Sequence, residues 1–238
     1  MLKIYLIATN GISPNAKNAL LSSLPPSLYD RASRQIGGEI NEERVCAYAL
    51  VERLISDVGA FASAVTVCEG ERGKPYIKAL PGGFSISHTS GLAMLAYNSS
   101  GEIGCDAEDA CALSCERIKK IEDRFLKKYV GEYEVLDDRI EIRVFTATDE
   151  GCLEEVLSKD INDPEAFTKA GEGYISRDLS RVGKWTLAEA LLKLDGGGFS
   201  SLCSIEKIEK SSHVFASRIN FAEGNYDIAI AINNEILP

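Results

Sequence analysis

The stretch Phe84–Glu108, FSISHTSGLAMLAYNSSGEIGCDAE, decides how this chain is read. Its opening residues predict a strand, Ser87-His88-Thr89-Ser90 a polar knot, and Gly91 to Tyr97 a second strand. Asn98-Ser99-Ser100-Gly101 reads as a turn, since Asn and Gly tolerate positive φ, and its place between two apolar runs predicts a hairpin into a third strand. In that third strand the side chains alternate with period two. Ile103, Cys105 and Ala107 share one face; Gly104, Asp106 and Glu108 share the other. Two residues of strand advance ~6.7 Å, so Asp106 and Glu108 point the same way with room for one hard cation between their oxygens. A lone D-x-E pair is more often two solvated carboxylates on the wet face of an edge hairpin.

Toward the N-terminus, Leu2 to Ile7 reads as a strand and Ala16 to Leu21 as a helix. Pro25-Pro26 opens a short helical turn that carries Arg31 and Arg34. Asn41 is an N-cap for a longer helix whose apolar stripe is Val45, Leu50, Val51, Leu54, Ile55 and Val58, with Gly59 ending it. Ala62 to Val67 is a further strand. Residues 1–101 thus form one α+β half, a helix packed on an antiparallel sheet.

Toward the C-terminus, Ser114 caps a helix in which Ile118, Ile121, Phe125, Leu126 and Tyr129 fall at helical spacing. Arg117, Lys119, Lys120, Arg124, Lys127 and Lys128 occupy its other positions. Arg139 to Phe145 alternates like a strand, and two acidic stretches follow near Leu153–Leu157 and Pro164–Ala170. After a loop through Gly171, Gly173 and Gly183, Thr186 starts a helix that stops at Gly196. Val214–Phe221 and Tyr226–Ile232 close the chain as a hairpin. Residues 102–238 read as a second α+β half, which makes the chain a pseudo-dimer in pattern, without a residue-level repeat.

The chain has 238 residues, 45% of them hydrophobic, enough for a sizeable core. Its net charge of −10 is uneven: residues 1–100 hold nine Lys/Arg against eight Asp/Glu, the remainder seventeen against twenty-eight. That balance excludes bulk nucleic-acid binding, which needs a basic face. Seven cysteines without a C-x-x-C pair, and only two histidines, argue against a zinc set and for free thiols in a reducing cytoplasm. No apolar run is long enough for a membrane span, and MLKIYLIATN is too short and too lightly charged for a signal peptide.

Four short motifs follow one another in order: Gly73-Lys74-Pro75; Phe84-Ser85-Ile86-Ser87-His88-Thr89; Gly104-Cys105-Asp106-Ala107-Glu108; and Trp185-Thr186-Leu187-Ala188-Glu189-Ala190-Leu191-Leu192-Lys193. This series resembles the signature of the 4′-phosphopantetheinyl transferases of the surfactin-synthetase-activating type: GKP, F-N-I-S-H-S, G-[IV]-D-[IV]-E and W-[ST]-x-K-E-[AS]-x-x-K. The resemblance covers roughly Gly73 to Lys193. It implies a pseudo-dimer of two α+β halves with the active site in the cleft between them. The distance from Glu108 to Glu189 exceeds what the family usually has, which places an insertion within about residues 136–184.

The resemblance further implies transfer of the phosphopantetheine arm of coenzyme A to a serine of an apo acyl or peptidyl carrier protein, with Mg²⁺. Asp106 and Glu108 would hold the ion, and Glu189 would complete the site or act as general base. Lys193 would neutralise the departing pyrophosphate, while His88, Ser87 and Lys74 would hold the phosphates of coenzyme A. Arg31, Arg34 and Arg44 are candidates for the same task by position and charge. The basic positions of the 114–130 helix would dock the acidic carrier. The chain is expected to act as a monomer, without nucleic acid or membrane.

Each assignment has a plainer counterpart. Thr186-x-x-Glu189 fits a capping box, and Glu189 and Lys193, four apart on one helix, make an ordinary surface ion pair. His88 reads equally as a hydrogen-bonded structural residue. Ala188 stands where the family has lysine, so a cation is missing beside the expected phosphates, and Ala188→Lys should then tighten coenzyme A. Ser85 replaces the usual Asn and Thr89 the usual Ser. A degenerate coenzyme A-binding protein and another Mg²⁺-dependent phosphoryl enzyme are the rival readings.

Overall fold

A computed structural model of the chain describes residues 1–36, 38–59, 66–70, 73–78, 80–112, 116–127, 129, 131–136, 139–159, 182–222 and 224–233. Strand alternation sorts the apolar side chains into layers. In β1 (Leu2–Ala8), Tyr5 and Ile7 oppose Ile4 and Leu6. In β7 (Leu92–Asn98), Ala93, Leu95 and Tyr97 oppose Leu92, Met94 and Ala96. Both strands are buried on both faces, which a wet-faced hairpin would not be.

The first sheet runs β11 (Leu153–Lys159), β10 (Ile140–Ala147), β1, β7 and β6 (Gly83–Thr89). Tyr5, Ile7 and Leu95 pack with Leu50 and Leu54 of α3 (Glu42–Asp57), flanked by α1 (Pro14–Ser23) and α2 (Pro26–Ala32). Opposite this face lies the second sheet: β8 (Ile103–Asp109), β13 (Gly224–Asn233), β12 (Ser212–Phe221) and β9 (Glu134–Val135). Ile4, Leu6 and Met94 join Ile103, Cys105, Ile228 and Ile230 in the core between the sheets. On the far side Ala216, Ala229 and Ala231 receive Leu187, Ala190 and Leu191 of α5 (Lys184–Asp195). The layers are therefore α3, first sheet, second sheet and α5, and the class is α+β. No helix among the described residues is long and apolar enough to cross a membrane.

The cap and stripe of α3 act as read. Asn41 accepts the amide of Arg44 at 2.7 Å, and every stripe residue of α3 from Val45 to Ile55 is buried. β2 (Gln35–Ile36) pairs with β3 (Glu39–Ile40); of the strand expected over residues 62–67 only Val67 is in a strand, as the first residue of β4 (Val67–Glu69), which pairs with β5 (Pro75–Ile77), while residues 62–65 lie outside the described ones. So do Ser114, Lys128, the acidic stretch 164–170, and Gly171 and Gly173. Ile118 and Ile121 of α4 (Glu116–Phe125) pack on the α5 core, as their spacing predicts. Cys46 and Cys105 are buried free thiols; burial pushes them up to about 12 and about 11, so neither is nucleophilic.

Three expectations need correction. The turn Asn98–Gly101 does not make a hairpin of β7 with β8. It carries the chain from one sheet to the other, where β8 pairs with β13. Nor are the sheets wholly antiparallel: β1 runs parallel to β10, and β12 to β9. Finally, residues 140–159, counted with the second half, complete the first sheet. The reason is that β10 is buried on both faces. Ile140, Ile142 and Val144 fill the core between the sheets, while Phe145 stacks on Tyr5 at 5.7 Å on the α3 side. There the guanidinium of Arg143 lies over both rings and pairs with Asp57 of α3 and Glu155 of β11.

β8 is the edge of its sheet, yet its free amides are not idle. Cys105, Ala107 and Asp109 donate to the hydroxyls of Ser85, Ser87 and Thr89 on β6, at 3.1, 3.2 and 3.4 Å. Alternate residues of one edge strand thus close the edge of the other sheet. The opposite face of β8 lets α5 lie backbone to backbone: a Cβ at Gly104 would come within 2.1 Å of the carbonyl oxygen of Ala190 and 2.3 Å of the amide of Leu194. Gly104→Ala must lift the helix, at a cost of at least ~2 kcal/mol by analogy with overpacked cores. Urea unfolding should show it as an earlier midpoint; an unchanged midpoint would mean that α5 does not seat on Gly104.

Candidate functional site

Asp106 and Glu108 face α5 because their β8 neighbours Cys105 and Ala107 face the core. Glu189 reaches them from α5, one turn before Lys193. Asp106, Glu108 and Glu189 each bring a carboxylate oxygen to within 4.8 Å of the other two. Asp106 is buried. Its Oδ1 accepts from Lys193 Nζ at 2.8 Å and from the Ser87 hydroxyl at 2.9 Å, while its Oδ2, also buried, has no hydrogen-bond partner. Glu108 Oε1 accepts the indole N–H of Trp185 at 3.2 Å.

Three carboxylates face one ammonium, so the cluster is short of positive charge. Burial, then the charge of Asp106, pushes Glu108 up to about 7 and Glu189 up to about 7. Burial works against the charge on Lys193, but Asp106 and Glu189 outweigh it and hold the ammonium above its ordinary range. Its Nζ sits 3.7 Å from Glu189. A hard cation with oxygen ligands fits this donor set: all the ligands are carboxylates, two are already set in place by hydrogen bonds, and one buried oxygen lacks a partner.

The capping-box reading of Glu189 is overturned. α5 begins at Lys184 with Gly183 as its N-cap, and Thr186 is a buried residue of its first turn. The leading amides are met from elsewhere: Gly183 donates to Asp227 at 2.8 Å and Trp185 to Glu122 at 3.2 Å. Asp227, buried on β13, is held in turn by Arg218 at 2.6 Å. Ala188 does not face solvent either. It is fully buried in the core between α5 and the second sheet, where a lysine would not fit.

One pocket of about 410 Å³ gathers most of the expected residues: Arg31, Arg34, Arg44, Ser87, His88, Asp106, Glu108, Glu189 and Lys193. Arg44 also donates to the carbonyl of Arg34 at 3.2 Å, and Arg31 lies 3.7 Å from Glu69. His88 is open to solvent, yet the atoms packed around its ring, then Arg44 and Lys193, hold its imidazole below the usual value. Lys74 stands apart. It pairs with Glu102 at 2.6 Å and lines a second pocket, of about 760 Å³, beside Tyr76, Leu80 and Leu194. Sequence reasoning missed Trp185 as the clamp of Glu108, and Asp227 and Glu122 as the caps of α5. For Asp227 a signal existed: a lone carboxylate in the apolar run Tyr226–Ile232.

A carboxyl held above its ordinary range binds its proton more tightly in the folded chain than in the unfolded one. The stabilisation is complete below the unfolded value of 4.5 and is lost as pH rises through about 7. In EDTA, therefore, wild-type Tm should fall between pH 5 and pH 8, and Glu189→Gln should fall less and melt higher at pH 8. Parallel curves for the two proteins would show that Glu189 is not crowded by the other carboxylates.

No family model matches this chain, and no curated protein matches it either.

Proposed function

We propose that this chain transfers the 4′-phosphopantetheine arm of coenzyme A to a serine hydroxyl of an apo carrier protein, as its motifs suggest. The observation that carries the reading is one pocket lined both by the carboxylate cluster Asp106, Glu108 and Glu189 and by His88, Arg31, Arg34 and Arg44. Coenzyme A has a matching charge pattern, a pyrophosphate and a separate 3′-phosphate joined by one nucleoside. The pyrophosphate would meet the carboxylates through the cation they hold, and the 3′-phosphate would meet the arginines, which make strong charge-assisted contacts.

Bound by Asp106 and Glu108 together with Glu189, Mg²⁺ would supply charge neutralisation for the pyrophosphate oxygens. Glu189 has a second carboxylate oxygen and takes the role of base toward the serine hydroxyl. The serine oxygen forms a bond to the phosphorus that carries the pantetheine arm, and the bond from that phosphorus to the bridging oxygen breaks. The serine proton passes to Glu189, and adenosine 3′,5′-bisphosphate leaves with the bond's electron pair. Lys193 offsets one carboxylate charge and faces the same pocket.

In this reading α3 with the first sheet and α5 with the second are the two members of a pseudo-dimer, and the pocket is the cleft between them. All its residues come from one chain, so a monomer suffices. Lys119, Lys120 and Arg124 are exposed on α4 and would meet an acidic carrier there, Lys120 by exchanging its ion pair with Glu116. Of the two supports of the degenerate reading, Ala188 and the insertion, the first is weakened, because Ala188 is a core residue.

The test is to incubate the protein with coenzyme A, Mg²⁺ and a panel of apo carrier proteins, and to weigh the carriers. A carrier heavier by one phosphopantetheine is expected, and no gain with Asp106→Ala or Glu108→Ala; a panel left unmodified by wild type overturns the proposal. His88→Ala should weaken coenzyme A by roughly ten- to a hundred-fold and 3′-dephospho-coenzyme A far less. Equal losses for the two ligands would take His88 off the 3′-phosphate.

A further inference from the structure

Adjacent strand residues turn to opposite sides, and in β6 this separates Ser87 from His88. His88 is exposed and feels the charge of Arg44, whereas Ser87 is buried and faces β8. Its hydroxyl has one hydrogen and two lone pairs, and all three are engaged. The hydrogen goes to Asp106 Oδ1 at 2.9 Å; the lone pairs accept Lys193 Nζ at 3.0 Å and the amide of Ala107 at 3.2 Å. Nothing is left for a phosphate oxygen. We infer that Ser87 is a positioning residue of the carboxylate site, which holds Asp106 so that its unpartnered Oδ2 faces a divalent cation. The inference rests on the metal-site reading above and replaces the phosphate-binding duty expected of this serine.

The geometry explains why one hydroxyl can do this. Lys193 and Ser87 bond the same oxygen of Asp106, which leaves the other oxygen without a donor. Through the amide of Ala107, Ser87 also fixes the residue between Asp106 and Glu108, and so the direction in which both side chains leave the strand. Ser85 makes the same kind of bond to Cys105, at 3.1 Å, but touches no carboxylate. It is the internal control: one matched ladder bond, without the Asp106 contact.

The experiment measures Mn²⁺ binding by electron paramagnetic resonance, with no nucleotide present, in wild type, Ser87→Ala, Ser87→Thr and Ser85→Ala. Thermal unfolding is recorded for each. Loss of a group that orients a metal ligand typically weakens the metal by about ten- to a hundred-fold. Ser87→Ala should show that loss, Ser87→Thr should bind within about threefold of wild type, and Ser85→Ala should match wild type. Coenzyme A binding in EDTA should be equal in wild type and Ser87→Ala. If Ser87→Ala binds Mn²⁺ like wild type but loses coenzyme A in EDTA, Ser87 is a phosphate ligand and the inference is overturned. If Ser85→Ala loses Mn²⁺ as strongly, the effect is one of the ladder and the inference also falls. Should wild type itself bind no Mn²⁺, it is the metal-site reading that fails.

Discussion

The seating of α5 on β8 is the contact on which everything else depends. It brings a helix backbone against a strand backbone, which only a residue without a Cβ permits, and Gly104 supplies it. With the helix that close, the short side chains of Asp106 and Glu108 meet Glu189 and Lys193 from the facing turns. A helix seated a few ångström farther out would leave the carboxylates apart, each solvated and ordinary. On the other side of β8, three hydroxyls of β6 take the amides that an edge strand leaves open, so the strand is fixed from both directions. The site is thus a consequence of two close packings rather than of any one residue.

That arrangement costs stability where it concentrates charge. Asp106 is buried beside two further carboxylates, and a single ammonium answers all three. A fold selected for stability alone would have neutralised this corner. Elsewhere the chain does so: Arg143 is balanced by Asp57 and Glu155, and Asp227 by Arg218 and the N-terminal amides of α5. The contrast between these satisfied clusters and the unsatisfied one marks the latter as the candidate functional site.

Much of this was legible in the sequence, and for stated reasons. Period-two alternation put Gly104, Asp106 and Glu108 on one face of a strand, and caps and stripes placed α3 within a residue. What local pattern could not supply was partner choice. Asn98–Gly101 has the chemistry of a hairpin turn, but whether the next strand returns beside the last or crosses to another sheet depends on distant β13. The register of β10 with β1 likewise spans more than 130 residues. Ser87 and His88 are neighbours in sequence with opposite surroundings, and a motif treats them as one unit. A motif position alone misplaces Ala188, whose burial decides its role. Thr186-x-x-Glu189 shows the same limit, since a capping box has meaning only where a helix begins.

The central claim is that β8 and α5 together form a binding site for one divalent cation. Its most direct test is a crystal grown with Mn²⁺, measured for anomalous scattering at the manganese edge. The account predicts a single strong peak bounded by Asp106 Oδ2, Glu108 and Glu189, absent from crystals of Asp106→Ala. A peak elsewhere with these carboxylates bare, or well-ordered carboxylates with no peak at millimolar Mn²⁺, would contradict it.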